Sequence, residues 1–242
     1  MSDALRTGLR GLGQTLITVG VVVLLFCVYE LQVTNLLTAR AQDRLGDSLE
    51  RSWAEAPRRP LPGPGTPGRP GVPAQPVAAP APAPAPVPGD AFARLHAPTL
   101  EGYGSRVVVE GVGVDDLKDG PGHIPKTALP GAVGNVVLSG HRTTYGAPFN
   151  RWDELRPGDV VVLETRDTWF TYTISGSDIV APTAVEVTLP VPRKPGATPT
   201  KALLTMTTCN PKYSARQRLI VSAELSASTP KSAGLPPALT GG

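Results

Sequence analysis

The sequence predicts an all-β domain, a barrel or a sandwich, behind an apolar helix and a proline-rich tract. Three observations lead there. Seven short runs of strand character lie between residues 106 and 225. Gly and Pro break these runs at short intervals, and no long helical pattern alternates with them. The chain before residue 91 has a different composition, first uncharged and then rich in proline.

From Gly11 to Tyr29 no charged residue occurs, and the centre reads LITVGVVVLLFCVY (Leu16–Tyr29). At ~1.5 Å per residue this stretch spans roughly 28 Å, close to the ~30 Å of bilayer hydrocarbon. No small-residue cleavage site follows promptly; Glu30, Leu31 and Gln32 do. Residues 11–37 therefore read as an uncleaved transmembrane signal anchor behind a short N-terminal segment, 1–10. Arg6 and Arg10 precede it and Arg40, Arg44 and Arg51 follow, so the positive-inside rule does not decide the orientation.

Residues 38–90 read as a polar stalk and linker. The polar part, 38–56, is compatible with a helical juxtamembrane stalk that extends the anchor, and residues 57–88 contain 13 prolines. Proline fixes φ and lacks an N–H, which excludes helix and central strand. Extended polyproline II at ~3.1 Å per residue would reach roughly 100 Å. Beside a membrane segment, the tract reads as a spacer rather than as a ligand for a proline-binding domain.

Residues 91–225 are expected to form the folded domain, a normal single-domain size. Its strand candidates are RVVVEGV (from Arg106), NVVLSGH (Asn135), DVVVLET (Asp159), WFTYTIS (Trp169), AVEVTL (Ala184), ALLTMTT (Ala202) and RLIVSAEL (Arg218). WFTYTIS alternates, as a half-buried strand does, whereas VVVLE is continuously apolar, as a strand covered on both sides is. A short helix is expected at Phe149–Leu155. Residues 226–242 are rich in Ser, Pro and Gly and read as a disordered tail.

Charge excludes one class of partner. Residues 1–90 carry 8 basic and 7 acidic side chains and residues 91–242 carry 15 and 13, so neither part has a nucleic-acid footprint. The two cysteines are Cys27, in the apolar run, and Cys209. Pairing between them is not expected, so Cys209 reads as a free thiol.

Cys209 ends the run TMTTC just before Asn210-Pro211. A thiol at a strand end is either a reactive nucleophile or a small buried hydrophobe. A nucleophile needs a proton-handling partner and a charge stabiliser. The histidines are His96, His123 and His141. His141 closes a strand-like run and opens the loop RTTYGAPF, His123 lies in the turn DGPGHIP, and His96 is near the domain start. Arg216 and Arg218 lie just beyond Cys209 and alternatively read as solvated edge charges. No HExxH, CxxC, G-x-S-x-G or P-loop motif occurs, and neither metal nor cofactor is expected. The acidic residues Glu110, Asp115, Asp116 and Asp119 are a weak calcium cluster at most.

Together these stretches resemble a sortase, and more narrowly the class E sortases of high-GC Gram-positive bacteria. The residues that carry the resemblance are VVVEGVGVDDL (Val107), GPGHIPKTALPGAVGN (Gly120), SGHRTTYGAPFNRWDELRPGD (Ser139) and TMTTCNPKYSARQRLIVSAEL (Thr205). The family signature is T-L-x-T-C followed by an arginine that opens the next strand. Met206 replaces the leucine, and Arg218 rather than Arg216 matches the arginine. The resemblance implies a closed eight-stranded β-barrel. It implies Cys209 as nucleophile, His141 as proton donor and acceptor, and Arg218 as charge stabiliser. Thr207, Thr208 and Tyr145 are candidate substrate contacts. The implied reaction cleaves a C-terminal LPxTG-type sorting signal between Thr and Gly through a thioacyl-enzyme, and a peptidoglycan-precursor (lipid II) amine resolves it. Class E membership implies an LAxTG preference. The implied partners are surface proteins bearing that signal. The implied location is the cell membrane, single-pass, with the N-terminus cytoplasmic and the domain outside.

Rival readings fit less well. An L,D-transpeptidase would show a His-Gly-Cys cluster, and papain- or NlpC-type peptidases place the cysteine before the histidine. The remaining alternative is a non-catalytic wall-binding β-domain.

Overall fold

The computed structural model describes residues 3–29, 34–55 and 86–240. Eight strands form the domain: β1 (Ala91–His96), β2 (Ser105–Glu110), β3 (Gly122–His123), β4 (Gly134–Ser139), β5 (Val160–Glu164), β6 (Thr168–Val180), β7 (Ala202–Asn210) and β8 (Gln217–Pro230). They close into one barrel in the order β1-β2-β3-β4-β7-β8-β6-β5. Closure leaves no free edge. The pairs β2–β3 and β4–β7 are parallel, and the others are antiparallel.

Period-two alternation sets the core. Leu204 and Met206 of β7, Val136 and Leu138 of β4, and Leu219, Val221 and Ala223 of β8 point inward with Tyr172 and Ile174 of β6. Phe149 and Trp152 plug the barrel as a stacked pair, ring centroids 4.6 Å apart. Between them this core takes the largest side chains of the domain out of water.

The strand readings are met at β2, β4, β5, β6, β7 and β8 and corrected elsewhere. AVEVTL is a 3-10 turn at Val185–Thr188, not a strand. The Asn135 side-chain amide donates to the carbonyls of Val187 and Leu189, which no sheet neighbour takes. β1 and β3 carry no strong strand pattern and are held by their neighbours on the barrel wall. The expected helix at Phe149–Leu155 is a 3-10 turn at Trp152–Glu154. The tail begins later than residue 226, since β8 runs to Pro230 against Thr168–Thr171 of β6. A further short helix follows at Pro237–Thr240.

Helix α1 covers Asp3–Val28, and its Arg6–Val28 part is long and apolar enough to cross a membrane. Helix α2, Thr34–Glu55, overlaps the last residues of the expected anchor and the polar stretch read as a helical stalk. Thr34, Thr38, Ala41, Gly46 and Leu49 form a buried stripe of mostly small residues, which reads as polar sequence but packs on the barrel. Gln42 fastens it: its amide donates to Val107 O and Asp119 O, and its carbonyl accepts from Val107 N. Thr38 donates to Lys118 O of the short helix α3 (Val114–Asp119), and Arg94 pairs with Glu50 at 2.6 Å. The polyproline reading of 57–88 falls, up to residue 85, outside the described residues.

Candidate active site

β7 and β8 build the site through their register. Cys209 lies directly opposite Arg218. Opposed residues of an antiparallel pair share a face. Leu204 and Met206 point into the barrel, so by alternation Thr207 and Cys209 point out. Leu219 and Val221 likewise turn Arg218 outward. The thiol is free and partly accessible.

His141 reaches the same place by the parallel pairing of β4 with β7, which sets Ser139 beside Thr207. Both residues that flank His141 are bonded to the end of β7. Gly140 N donates to Thr207 O at 3.2 Å, and Gly140 O accepts from the Thr208 hydroxyl at 2.7 Å. On the other side, Arg142 Nη1 donates to Cys209 O at 3.2 Å and to Asn210 Oδ1 at 2.6 Å. The imidazole is half-buried, and that burial lowers its pKa from the ordinary 6.5. The Tyr145 ring lies 5.0 Å from it, centroid to centroid.

Arg218 Nη1 donates to the carbonyls of Ala215 and Gln217, both at 2.9 Å. Among the described residues its Nη2 and Nε have no hydrogen-bond partner. Arg216 donates only its backbone N–H, to Ser214 Oγ, and is exposed.

Thr208 is 3% exposed and its hydroxyl donates to Gly140 O, so it braces the histidine loop. Thr207 lies on the outward face with Cys209. The other histidines are elsewhere. His123 is buried, with Nδ1 2.6 Å from Glu110 and Nε2 near Thr127 and Ala128 O. His96 pairs with Glu164 at 2.9 Å. Three of the four acidic residues considered for calcium have protein partners for their carboxylates: Glu110 holds His123, Asp115 pairs with Lys118, and Asp116 accepts from Gly113 N.

Arg142 was not anticipated. It is 4% exposed, and besides β7 it pairs with Asp153 at 3.0 Å. Its own carbonyl accepts from Asn150, whose Oδ1 in turn accepts from Lys212 in the β7–β8 loop. The only trace in sequence is an arginine adjoining His141 in a Thr/Gly-rich loop.

Residues 95–226 match the sortase domain family. Sortase E1 of Streptomyces coelicolor is 33% identical over 240 residues, 95% of this chain and 60% of that protein. Sortase E2 of the same organism is 34% identical, covering 88% of this chain and 80% of its own length. The solved sortase E of Streptomyces avermitilis is 46% identical with a TM-score of 0.57, over 63% of this chain and all but 1% of that one (99%). With a family match over more than half of its length and sortase E relatives above 30% identity, the chain belongs to the sortase family, in its class E branch.

Proposed function

We propose that the chain is a membrane-anchored cysteine transpeptidase acting on C-terminal sorting signals of the LAxTG/LPxTG type. One observation carries the reading: Cys209 and Arg218 are opposed on a common outward face, and both neighbours of His141 are hydrogen-bonded to the strand that bears Cys209.

In this mechanism the Cys209 thiolate attacks the carbonyl carbon of the signal's threonine. The free donors of Arg218, a cation that does not lose its proton, hold the oxyanion or the flanking carbonyls. The C–N bond to glycine breaks as His141, in its protonated form, gives its proton to the leaving amine. The thioester remains on Cys209. An incoming amine attacks it, neutral His141 takes a proton from that amine, and the new amide leaves with the thiolate restored. Burial makes protonated His141 a stronger acid than an exposed imidazolium. This favours proton delivery to the leaving amine and makes the protonated state the scarcer one at neutral pH. Thr207 and Tyr145 line the approach. The acceptor is the amine of a peptidoglycan precursor, and α1 holds the enzyme in the membrane with the barrel outside.

The test uses the full-length chain in detergent with LAxTG and LPxTG peptides and a glycine-type amine, read by mass spectrometry. A thioacyl adduct on Cys209 and cleavage after threonine are expected, and both vanish in Cys209→Ala. A folded wild-type chain that leaves every peptide intact would instead favour the wall-binding reading.

A further inference from the structure

A concavity lies between the first turns of α2 and helix α3, with Tyr145 on its lining. It encloses about 640 Å³, within the ~300–1,000 Å³ of small-ligand sites. Leu37, Arg40 and Arg44 line one wall, Lys118 stands on the other, and Tyr145 closes the end nearest His141. Positions 37, 40 and 44 fall on one stripe of a helix. Arg40 and Arg44 are therefore like charges one turn apart, a placement that weakens an isolated helix. Among the described residues neither has a hydrogen-bond or ion-pair partner. Asp43 and Asp119 also line the cleft but pair with neither arginine. Lys118 is engaged by Asp115 at 2.8 Å.

Two unpaired guanidinium groups over a recess suit a phosphate, whose oxygens accept from arginine's planar fork. Position narrows the source. Thr34 lines the cleft, and α1 ends at Val28, so the recess opens within a few residues of the proposed membrane span. Leu36 and Leu37 are exposed beside it, 52% and 53%, as an apolar step toward lipid.

We propose that this cleft binds the phosphate of a lipid headgroup through Arg40 and Arg44, a site that rests on the membrane-anchored reading above. The phosphate belongs either to a bulk anionic phospholipid or to the diphosphate of a lipid-linked acceptor. In the second case the Tyr145 end of the cleft points the acceptor toward His141.

Native mass spectrometry of the full-length chain, released from detergent, tests this without any turnover. The probes are phosphatidylcholine, phosphatidylglycerol and a polyprenyl diphosphate at equal mole fraction. Wild type should retain one or both anionic lipids over phosphatidylcholine. Arg40→Gln/Arg44→Gln should lower that retention well over tenfold, since two charge-assisted contacts are lost and each is worth about tenfold or more. Arg51→Gln, on the same helix but away from the cleft, should retain lipid as wild type does. Preference for phosphatidylglycerol assigns a bulk lipid, and preference for the diphosphate assigns the acceptor. Equal retention of all three lipids, or of the anionic lipids by wild type and the double variant, overturns the site. Because the readout is mass alone, a chain without thioacylation leaves this test intact, and an empty cleft leaves the thioacylation test intact.

Discussion

Replacing Arg142 by methionine should damage stability and catalysis together. The side chain is 4% exposed and bonded to Cys209 O, Asn210 Oδ1 and Asp153. Methionine fills similar volume and supplies no donor. Two acceptors beside the nucleophile then lose their partner, at about 1–3 kcal/mol each where they stay buried. Asp153 is 45% exposed and rehydrates, so the ~3–5 kcal/mol of a severed buried ion pair is not reached. A loss of about 2–4 kcal/mol follows, which for a folded unit of this size lowers Tm by roughly 5–15 °C. The thiol and imidazole then no longer share a brace. A misplacement near 1 Å costs on the order of 10²-fold, so kcat/KM for thioacylation should fall by about that factor. Circular dichroism melting and initial rates of Cys209 adduct formation measure the two effects. Arg142→Lys should recover part of the stability and less of the rate, since an ammonium cannot span both acceptors as the fork does. A Tm and a kcat/KM both near wild type in Arg142→Met would refute the bracing argument.

Three further outcomes follow from the same structure. The folded pKa of His141 lies below its unfolded value, so the unfolded chain binds more protons in that window. Wild type should then lose stability as pH falls from about 6.5 through the lower folded value, and His141→Gln should flatten that part of the Tm-versus-pH curve. A Cβ at Gly140 would stand 2.9 Å from the buried Phe149 ring, so Gly140→Ala should displace His141 and lower kcat by roughly tenfold or more, with KM for the peptide less affected. Gln42→Ala removes three hydrogen bonds between α2 and the barrel and should cost about 1–3 kcal/mol; hydrogen exchange should accelerate across α2 while β7 and β8 keep their protection.

How far the sequence could be read depended on where each signal was stored. Inward and outward positions of β4, β7 and β8 follow from alternation, so the outward aim of Cys209 and Arg218 was legible once strands were placed there. The family signature then named His141, which residue type alone left level with His96 and His123. β3 was not legible, because two residues, Gly122 and His123, form a strand only when β2 and β4 stand on either side. Nor was the docking of α2. Its buried stripe is Thr34, Thr38, Ala41, Gly46 and Leu49, which carries little apolar contrast against the polar face. The bracing bond of Thr208 to Gly140 was not legible either, because a hydroxyl beside a nucleophile looks the same in sequence whether it faces outward or the loop behind.

The placement of α2 also changes what the proline-rich tract can do. As a spacer it would lift the barrel from the membrane, which requires everything before it to stay with α1. Yet Thr34–Glu55 lies on the barrel, fixed at Thr38, Gln42 and Glu50, and the chain re-enters the described fold by Pro86, with Gly89 N bonded to Glu110 O. Both ends of the tract are thus held on the same body. On the membrane-anchored reading proposed above, the tract is then not what holds α2 and the barrel together or apart, since α2 precedes it and lies on the barrel. A tether of this length makes the docking of α2 an intramolecular event, with a closure cost that grows only slowly with length. Shortening the tract should therefore leave transfer to a membrane-bound acceptor nearly unchanged, until it no longer spans the gap between Glu55 and Pro86. Lengthening the segment between α1 and α2 should lower that transfer and spare a soluble amine. A dependence on tract length instead, measured with both acceptors in vesicles, would return the tract to the role of spacer.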